Sequence, residues 1–304
     1  MAGRPVAMHA RRNALLLLHL TVFIWGFTGI LGKLIQQGTL HLVYTRTVIA
    51  LAGLALGAWW MRRTLSPRTP DLKHYLLISI IITAHWITFY GAIKISTASI
   101  AAACLSTSTV FTALLEPFWF KRRIRMYEVL LGMVVIAALV LIFGLETEHR
   151  TGILIGVLSA LLSAWFNIVN AVLVQRDNVF RISFYEMAGA MVLLGGYLLF
   201  TNDLPPPLWE LPTSDIIYQL LLGLVCTSFA FVAGIVVMRQ LSPFTVMLTV
   251  NLEPVYTIVV ALLIWGSEEK MKAGSYMGIA LILACLFVNG WLQRRNERKA
   301  ALAM

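Results

Sequence analysis

The sequence predicts an all-α integral membrane protein: ten transmembrane helices arranged as two inverted five-helix repeats. Three observations carry that expectation. The chain of 304 residues is 59% hydrophobic and only 12% charged, about half the charged share typical of soluble domains. Its apolar residues gather into runs of spanning length. Its two halves can be laid over one another in register.

A membrane-crossing helix needs about 20 mostly apolar residues. Ten segments meet this, at about 14–32, 42–61, 75–93, 98–119, 127–144, 152–174, 183–200, 216–238, 244–265 and 275–292. None shows the period-2 alternation of a barrel strand, so each reads as a helix. The first run follows Arg4, Arg11 and Arg12, as in a signal peptide, but it continues through Trp25-Gly-Phe to Leu31 without a clear small-residue cleavage site. It reads as a retained helix. The longest connection, about 201–215, carries Pro205, Pro206, Pro207 and Pro212 and is expected outside the membrane.

Basic residues orient the helices, because short cytoplasmic loops collect Lys and Arg. With the N-terminus inside, 18 of the 24 Lys and Arg fall on the cytoplasmic side. Both termini are then cytoplasmic, in a cell (inner) membrane. The net charge of +10 is thereby assigned to topology and does not point to nucleic acid.

A shift of 145 residues lays Thr97–Thr112 over Ser242–Thr257 and Lys94 over Arg239. A shift of 140 lays Trp25 over Trp165, Tyr44 over Phe184 and Arg46 over Glu186. The common order indicates a duplication, with a cytoplasmic tail over 1–13, repeats over 14–150 and 151–293, and a second tail over 294–304. Five helices per repeat is an odd number, so the second repeat enters from the opposite side. Inverted repeats suit alternating access.

These features resemble the drug/metabolite transporter superfamily, and within it the EamA family. The residues that carry the resemblance are Phe23-Ile-Trp-Gly-Phe-Thr28 with Lys33, Tyr44-Thr-Arg46, and Tyr90-Gly-Ala-Ile-Lys-Ile-Ser-Thr-Ala-Ser99. Trp165-Phe-Asn-Ile-Val-Asn170, Leu252-Glu-Pro-Val-Tyr256 and Trp265-Gly-Ser-Glu-Glu269 complete the set. The resemblance implies a central cavity and export or exchange of small metabolites, often amino acids. One departure stands out: many members carry proline in helix 4 where this chain has Thr109, and only the second half keeps it, as Pro254.

Ionisable groups inside spans are costly and are functional candidates by default. Glu253 is the sharpest, about ten residues into the ninth span and followed by Pro254, whose missing N–H frees the Val250 carbonyl one turn back. A carboxyl there can carry a proton, hold a substrate amine, or simply be hydrogen-bonded in the bundle. His85, mid-span in helix 3, offers the same choice between a proton relay and a packed neutral ring. Arg46 and Glu186 are repeat mates. They either meet near the pseudo-axis as gating charges or, as preferred here, lie near their own interfaces. Glu116 is assigned to an interfacial ion pair with the Lys121-Arg122-Arg123 cluster.

Trp25, Trp86, Tyr90, Ser106, Thr107, Thr109, Trp165, Asn167, Asn170, Asn251 and Tyr256 form a polar-aromatic set suited to an amphipathic organic solute, or to interhelical packing. Cys104, Cys226 and Cys285 read as small buried apolar residues. No phosphate loop, nucleophile elbow or metal signature is present, so no metal or other cofactor is expected. The expected partners are a small-molecule metabolite and the lipid bilayer, with proton coupling open. The alternative is a membrane-embedded enzyme acting on a lipid-linked substrate, for which Glu116 with its basic cluster is the sole weak motif.

Overall fold

A computed structural model describes residues 4–121, 126–241, 243–250 and 252–302. Among these residues every regular element is helical. That follows from the solvent: lipid offers backbone N–H and C=O groups no partner, so a spanning segment must satisfy them internally.

The first rod is α1 (Arg4–Trp25) and α2 (Thr28–Leu34), which part at Gly26 and Phe27. Next come α3 (Thr39–Trp60) and α4 (Leu72–Ile95). α5 (Ala98–Leu105) and α6 (Ser108–Trp119) form another divided rod, followed by α7 (Met126–Leu145), α8 (Arg150–Leu173) and α9 (Val179–Phe200). α10 (Thr213–Leu220) runs through a π-helical segment, Leu221–Phe229, into α11 (Ala230–Val237). α12 (Pro243–Val250) and α13 (Leu252–Trp265) flank position 251, and α14 (Ala273–Leu302) ends the chain's described part.

Among the described residues eight rods are long and apolar enough to cross a membrane. α7 and α14 carry shorter apolar stretches, Leu130–Ile142 and Ala273–Cys285. The outer surface is apolar: Trp60, Phe200 and Leu263 are each at least 80% exposed, as lipid-facing side chains are. The span over 98–119, which has Thr109 where many family members carry proline, divides at Ser106 and Thr107. Their hydroxyls explain this, donating to the carbonyls of Ala103 at 2.6 Å and Cys104 at 2.7 Å. Pro254, by contrast, sits in the first turn of α13, where its missing N–H costs nothing.

α4 and α8 pack along each other at the centre, and α9 lies on α4 and α3. Two glycines permit the close approaches that shape the interior. A Cβ at Gly234 would stand 2.6 Å from the Trp25 ring, and one at Gly32 2.4 Å from the Tyr90 ring.

Each end of the bundle is tied by charged residues. At one end Lys33 Nζ lies 2.8 Å from Glu269 Oε1 and 4.4 Å from the centre of the Trp265 ring. Glu269 is fully buried and accepts the backbone N–H groups of Ala98 at 3.2 Å and Ser99 at 2.8 Å, so it caps α5. Lys94 donates to the carbonyl of Ile35, just past α2. At the opposite, arginine-rich end, Arg239 donates to the carbonyls of Val174 at 3.2 Å and Asp177 at 2.9 Å, just past α8. Asp177 also pairs with Arg181 at 2.5 Å and accepts the Tyr75 hydroxyl.

Candidate functional site

The broken rods converge on a cavity of about 70 Å³. Two breaks lie beside it, and Thr28 of the first lines it. Thr28, first residue of α2, donates to the Trp25 carbonyl at 2.7 Å, a group left open where α1 stops. Thr257 closes the next open carbonyl, that of Gly26, at 2.8 Å. In the π segment Thr227 and Ser228 donate to carbonyls five residues back, Leu222 at 2.7 Å and Gly223 at 3.0 Å. The Cys226 carbonyl of the same segment accepts Trp25 Nε1 at 3.2 Å. Local departures from α-helix of this kind recur at functional sites.

Arg46 enters from α3. Its Nε donates to Thr227 at 2.7 Å and its Nη1 to the Tyr90 hydroxyl at 2.6 Å. The guanidinium lies 4.0 Å from the centre of the Trp86 ring, a cation–π contact strengthened by exclusion of water. Neither hydrogen bond uses Nη2. Arg46 is only 2% exposed: the crossing of α3 with α4 and the π segment encloses it.

Glu253 enters from the first turn of α13 and is buried. Thr28 and Arg46 line the same cavity as Glu253. His85 on α4 meets α8: its Nδ1 lies 3.0 Å from the Ser159 carbonyl and 2.9 Å from the Ser159 hydroxyl. A neutral ring donating from Nδ1 to that carbonyl keeps Nε2 as an acceptor. The remaining wall is largely aromatic: Trp25, Trp86, Phe89, Phe166 and Phe231, with Asn167 and Ser163 among them.

Of the residues expected from sequence, Trp25, Trp86, Tyr90, Asn167, His85, Glu253 and Arg46 line this cavity. Ser106 and Thr109 do not: Ser106 serves the break in helix 4, and Thr109 donates to the Met247 carbonyl at 3.1 Å. Tyr256 packs against Phe23, ring centres 5.4 Å apart. Trp165 is 37% exposed while its neighbour Phe166 faces inward. One residue of helix turns a side chain by about 100°, which separates the two. Asn170 and Glu186 are fully buried but lie outside the cavity. Asn251 and the Arg122-Arg123 part of the basic cluster near Glu116 lie outside the described residues. Thr28, Phe89, Phe166 and Phe231 were not expected, because an apolar or hydroxyl residue in an apolar run carries no signal of its own.

Toward the arginine-rich end, a gap of about 10 Å³ lies between Trp25, Phe166, Asn167 and Phe231 and the residues Gly234, Ile235 and Met238. Beyond it opens a vestibule of about 680 Å³, lined by Arg63, Arg176, Arg181 and Arg239. The central cavity thus narrows to this gap toward the arginine-rich end.

The EamA-like transporter family matches the chain twice, over residues 12–144 and 150–291. No curated protein matches it. A solved crystal structure of a protein 17% identical in sequence aligns with a TM-score of 0.69, covering 94% of this chain and 99% of the other. That likeness concerns the fold. The two family matches cover both halves, and the chain belongs to the EamA-like transporter family.

Proposed function

We propose that the protein is a secondary transporter of the cell membrane that exports or exchanges an amino-acid-like metabolite by alternating access through the central cavity. The observation that carries this reading is the pairing of opposite charges on one apolar-walled cavity: Glu253 on α13 and Arg46 on α3. A carboxylate is the natural partner of a solute ammonium, and Arg46 Nη2 that of a solute carboxylate. The aromatic walls suit an apolar side chain between them. At about 70 Å³ the cavity holds only about two waters' share of volume. It must widen to admit a solute, which fits a closed resting state between two open ones.

The ten-span, inverted-repeat arrangement belongs to the same proposal, with repeats over 14–150 and 151–293 and cytoplasmic termini. Two ties support it. Lys94 caps the carbonyl of Ile35, and its repeat mate Arg239 caps those of Val174 and Asp177, at opposite ends of the bundle. Equivalent bonds at opposite ends are what a two-fold axis in the membrane plane produces. In this reading the arginine-rich end faces the cytoplasm, and Glu253 or His85 couples transport to protons.

Counterflow in proteoliposomes against a panel of amino acids tests the reading. Accumulation of a zwitterionic solute, with no accumulation of its ester or its N-acetyl derivative, is the expected result. Absence of any exchange in folded, oriented protein removes the transport assignment.

A further inference from the structure

A groove of about 620 Å³ opens on the flank of the bundle between α3, the π segment and α11, with Leu17 of α1 and Phe180 of α9 completing its wall. Leu56, Trp60 and Phe229 of that wall are exposed, so the groove faces lipid. α3 has no side chain at Gly53 or Gly57, one turn apart, which leaves the recess. Ser228 brings the one hydroxyl, and it is bonded within the protein, to the carbonyls of Ala50 and Gly223 at 3.0 Å each. Along its length the groove therefore offers apolar contact.

Its arginine-rich end is different. Met61, Phe180, Val232 and Val236 line both the groove and the vestibule of about 680 Å³, so the two form one continuous surface. Across that border hydrocarbon gives way to guanidinium: Arg63, Arg176, Arg181 and Arg239 line the vestibule against one carboxylate, Asp177. Arg181 is paired with Asp177 at 2.5 Å and Arg176 with Asp71 at 2.7 Å. Arg239 uses Nε and Nη2 for two carbonyls, and neither bond engages Nη1. Arg63 makes no ion pair among the described residues.

The border lies at headgroup level. Trp59 and Trp60 end α3 and are exposed, and tryptophans of that kind gather at the membrane interface. From Leu224 to Val236 the groove follows about 15–18 Å of helix. One leaflet's share of the hydrocarbon core is about 15 Å.

We infer that the groove and the vestibule together bind one anionic phospholipid, with an acyl chain against Gly53 and Gly57 and the phosphate on Arg63 and Arg239. The apolar length takes the chain, and the surplus of positive charge selects the headgroup. A guanidinium pairs with phosphate oxygens, whereas a zwitterionic headgroup brings a cation of its own into a vestibule already rich in them. The site shares no lining residue with the central cavity.

Fluorescence quenching by lipids brominated on the acyl chain tests this, because bromine quenches tryptophan on contact and Trp60 stands in the groove wall. The protein is reconstituted in mixtures of phosphatidylglycerol and phosphatidylcholine with one or the other brominated, and the Trp60 signal is wild type minus Trp60→Phe. With about fivefold from each of Arg63 and Arg239, phosphatidylglycerol should be preferred at Trp60 by about 25-fold. Arg63→Gln, which breaks no ion pair among the described residues, should lower that preference about fivefold, and Arg63→Lys should restore most of it. Equal quenching by the two lipids, or an unchanged preference in Arg63→Gln, overturns the inference. So does release of the brominated lipid by inorganic phosphate, which would make the vestibule a site for the free anion. Absence of quenching by either lipid overturns it too, since the groove would then be covered by another copy of the chain. No solute is present, so a failure here leaves the transport assignment standing.

Discussion

Arg46 rests its guanidinium on the indole face of Trp86, 4.0 Å from the ring centre, while its Nε and Nη1 are held by Thr227 and Tyr90. The side chain is thus fixed on three sides by α4 and the π segment, and a single nitrogen remains for the cavity.

Arg46→Lys keeps the charge but cannot reproduce this planar, multidentate arrangement. Hydrogen bonds to charged groups are worth about 1.5–3 kcal/mol each. Loss of one on solute binding predicts an affinity for a carboxylate-bearing solute weaker by about tenfold or more. Ligand-dependent thermal shift of the detergent-solubilised protein measures it. An unchanged midpoint concentration would exclude Arg46 from solute binding.

Thr227→Val removes both the acceptor of Arg46 Nε and the donor to the Leu222 carbonyl. The unsatisfied groups should cost about 1–3 kcal/mol. Thermal unfolding should show the loss, and Thr227→Ser should restore most of it by keeping the hydroxyl.

Gly234→Ala places a Cβ 2.6 Å from the Trp25 ring. The indole must move, and its bond to the Cys226 carbonyl goes with it. Overpacking of this kind costs about 1–3 kcal/mol. Thermal unfolding reads the drop, and a wild-type melting point would mean that Trp25 is free to swing.

The two end ties should separate by side. Cys226 is buried, with its Sγ 3.8 Å from the Ile24 carbonyl and its neighbour Thr227 bound to Arg46, and can report access to the bundle interior in a Cys104→Ala, Cys285→Ala background. Lys33→Ala, which removes the partner of Glu269, should raise maleimide labelling of Cys226 from the Lys33 side alone. Arg239→Ala should raise it from the arginine-rich side alone. Equal rises from both sides in either variant would show that the ties do not gate.

Much of this was readable in one dimension. Glu253 announces itself as a carboxyl in the middle of an apolar span, and Trp25 as a tryptophan too deep for the interface. Arg46 did not, because eight residues into α3 it counts as near the helix end. Only the crossing of α4 and the π segment reveals that it is enclosed. The π segment has no sequence mark: Leu221–Phe229 reads as an ordinary apolar run, and the hydroxyls of Thr227 and Ser228 make the difference. Phe166 and Trp165 were exchanged, since periodicity over a helix that is apolar all round does not choose which neighbour faces the cavity.

Solute specificity in counterflow is the most direct test of the pairing of Glu253 with Arg46. Proteoliposomes preloaded with an apolar amino acid should accumulate the labelled form. Glu253→Gln should lower exchange of that amino acid far more than exchange of its deaminated analogue, and Arg46→Lys should lower exchange of the amino acid far more than that of its decarboxylated amine. Equal loss of all solutes in both variants, or wild-type selectivity in either, would contradict recognition of the two solute charges by these two residues.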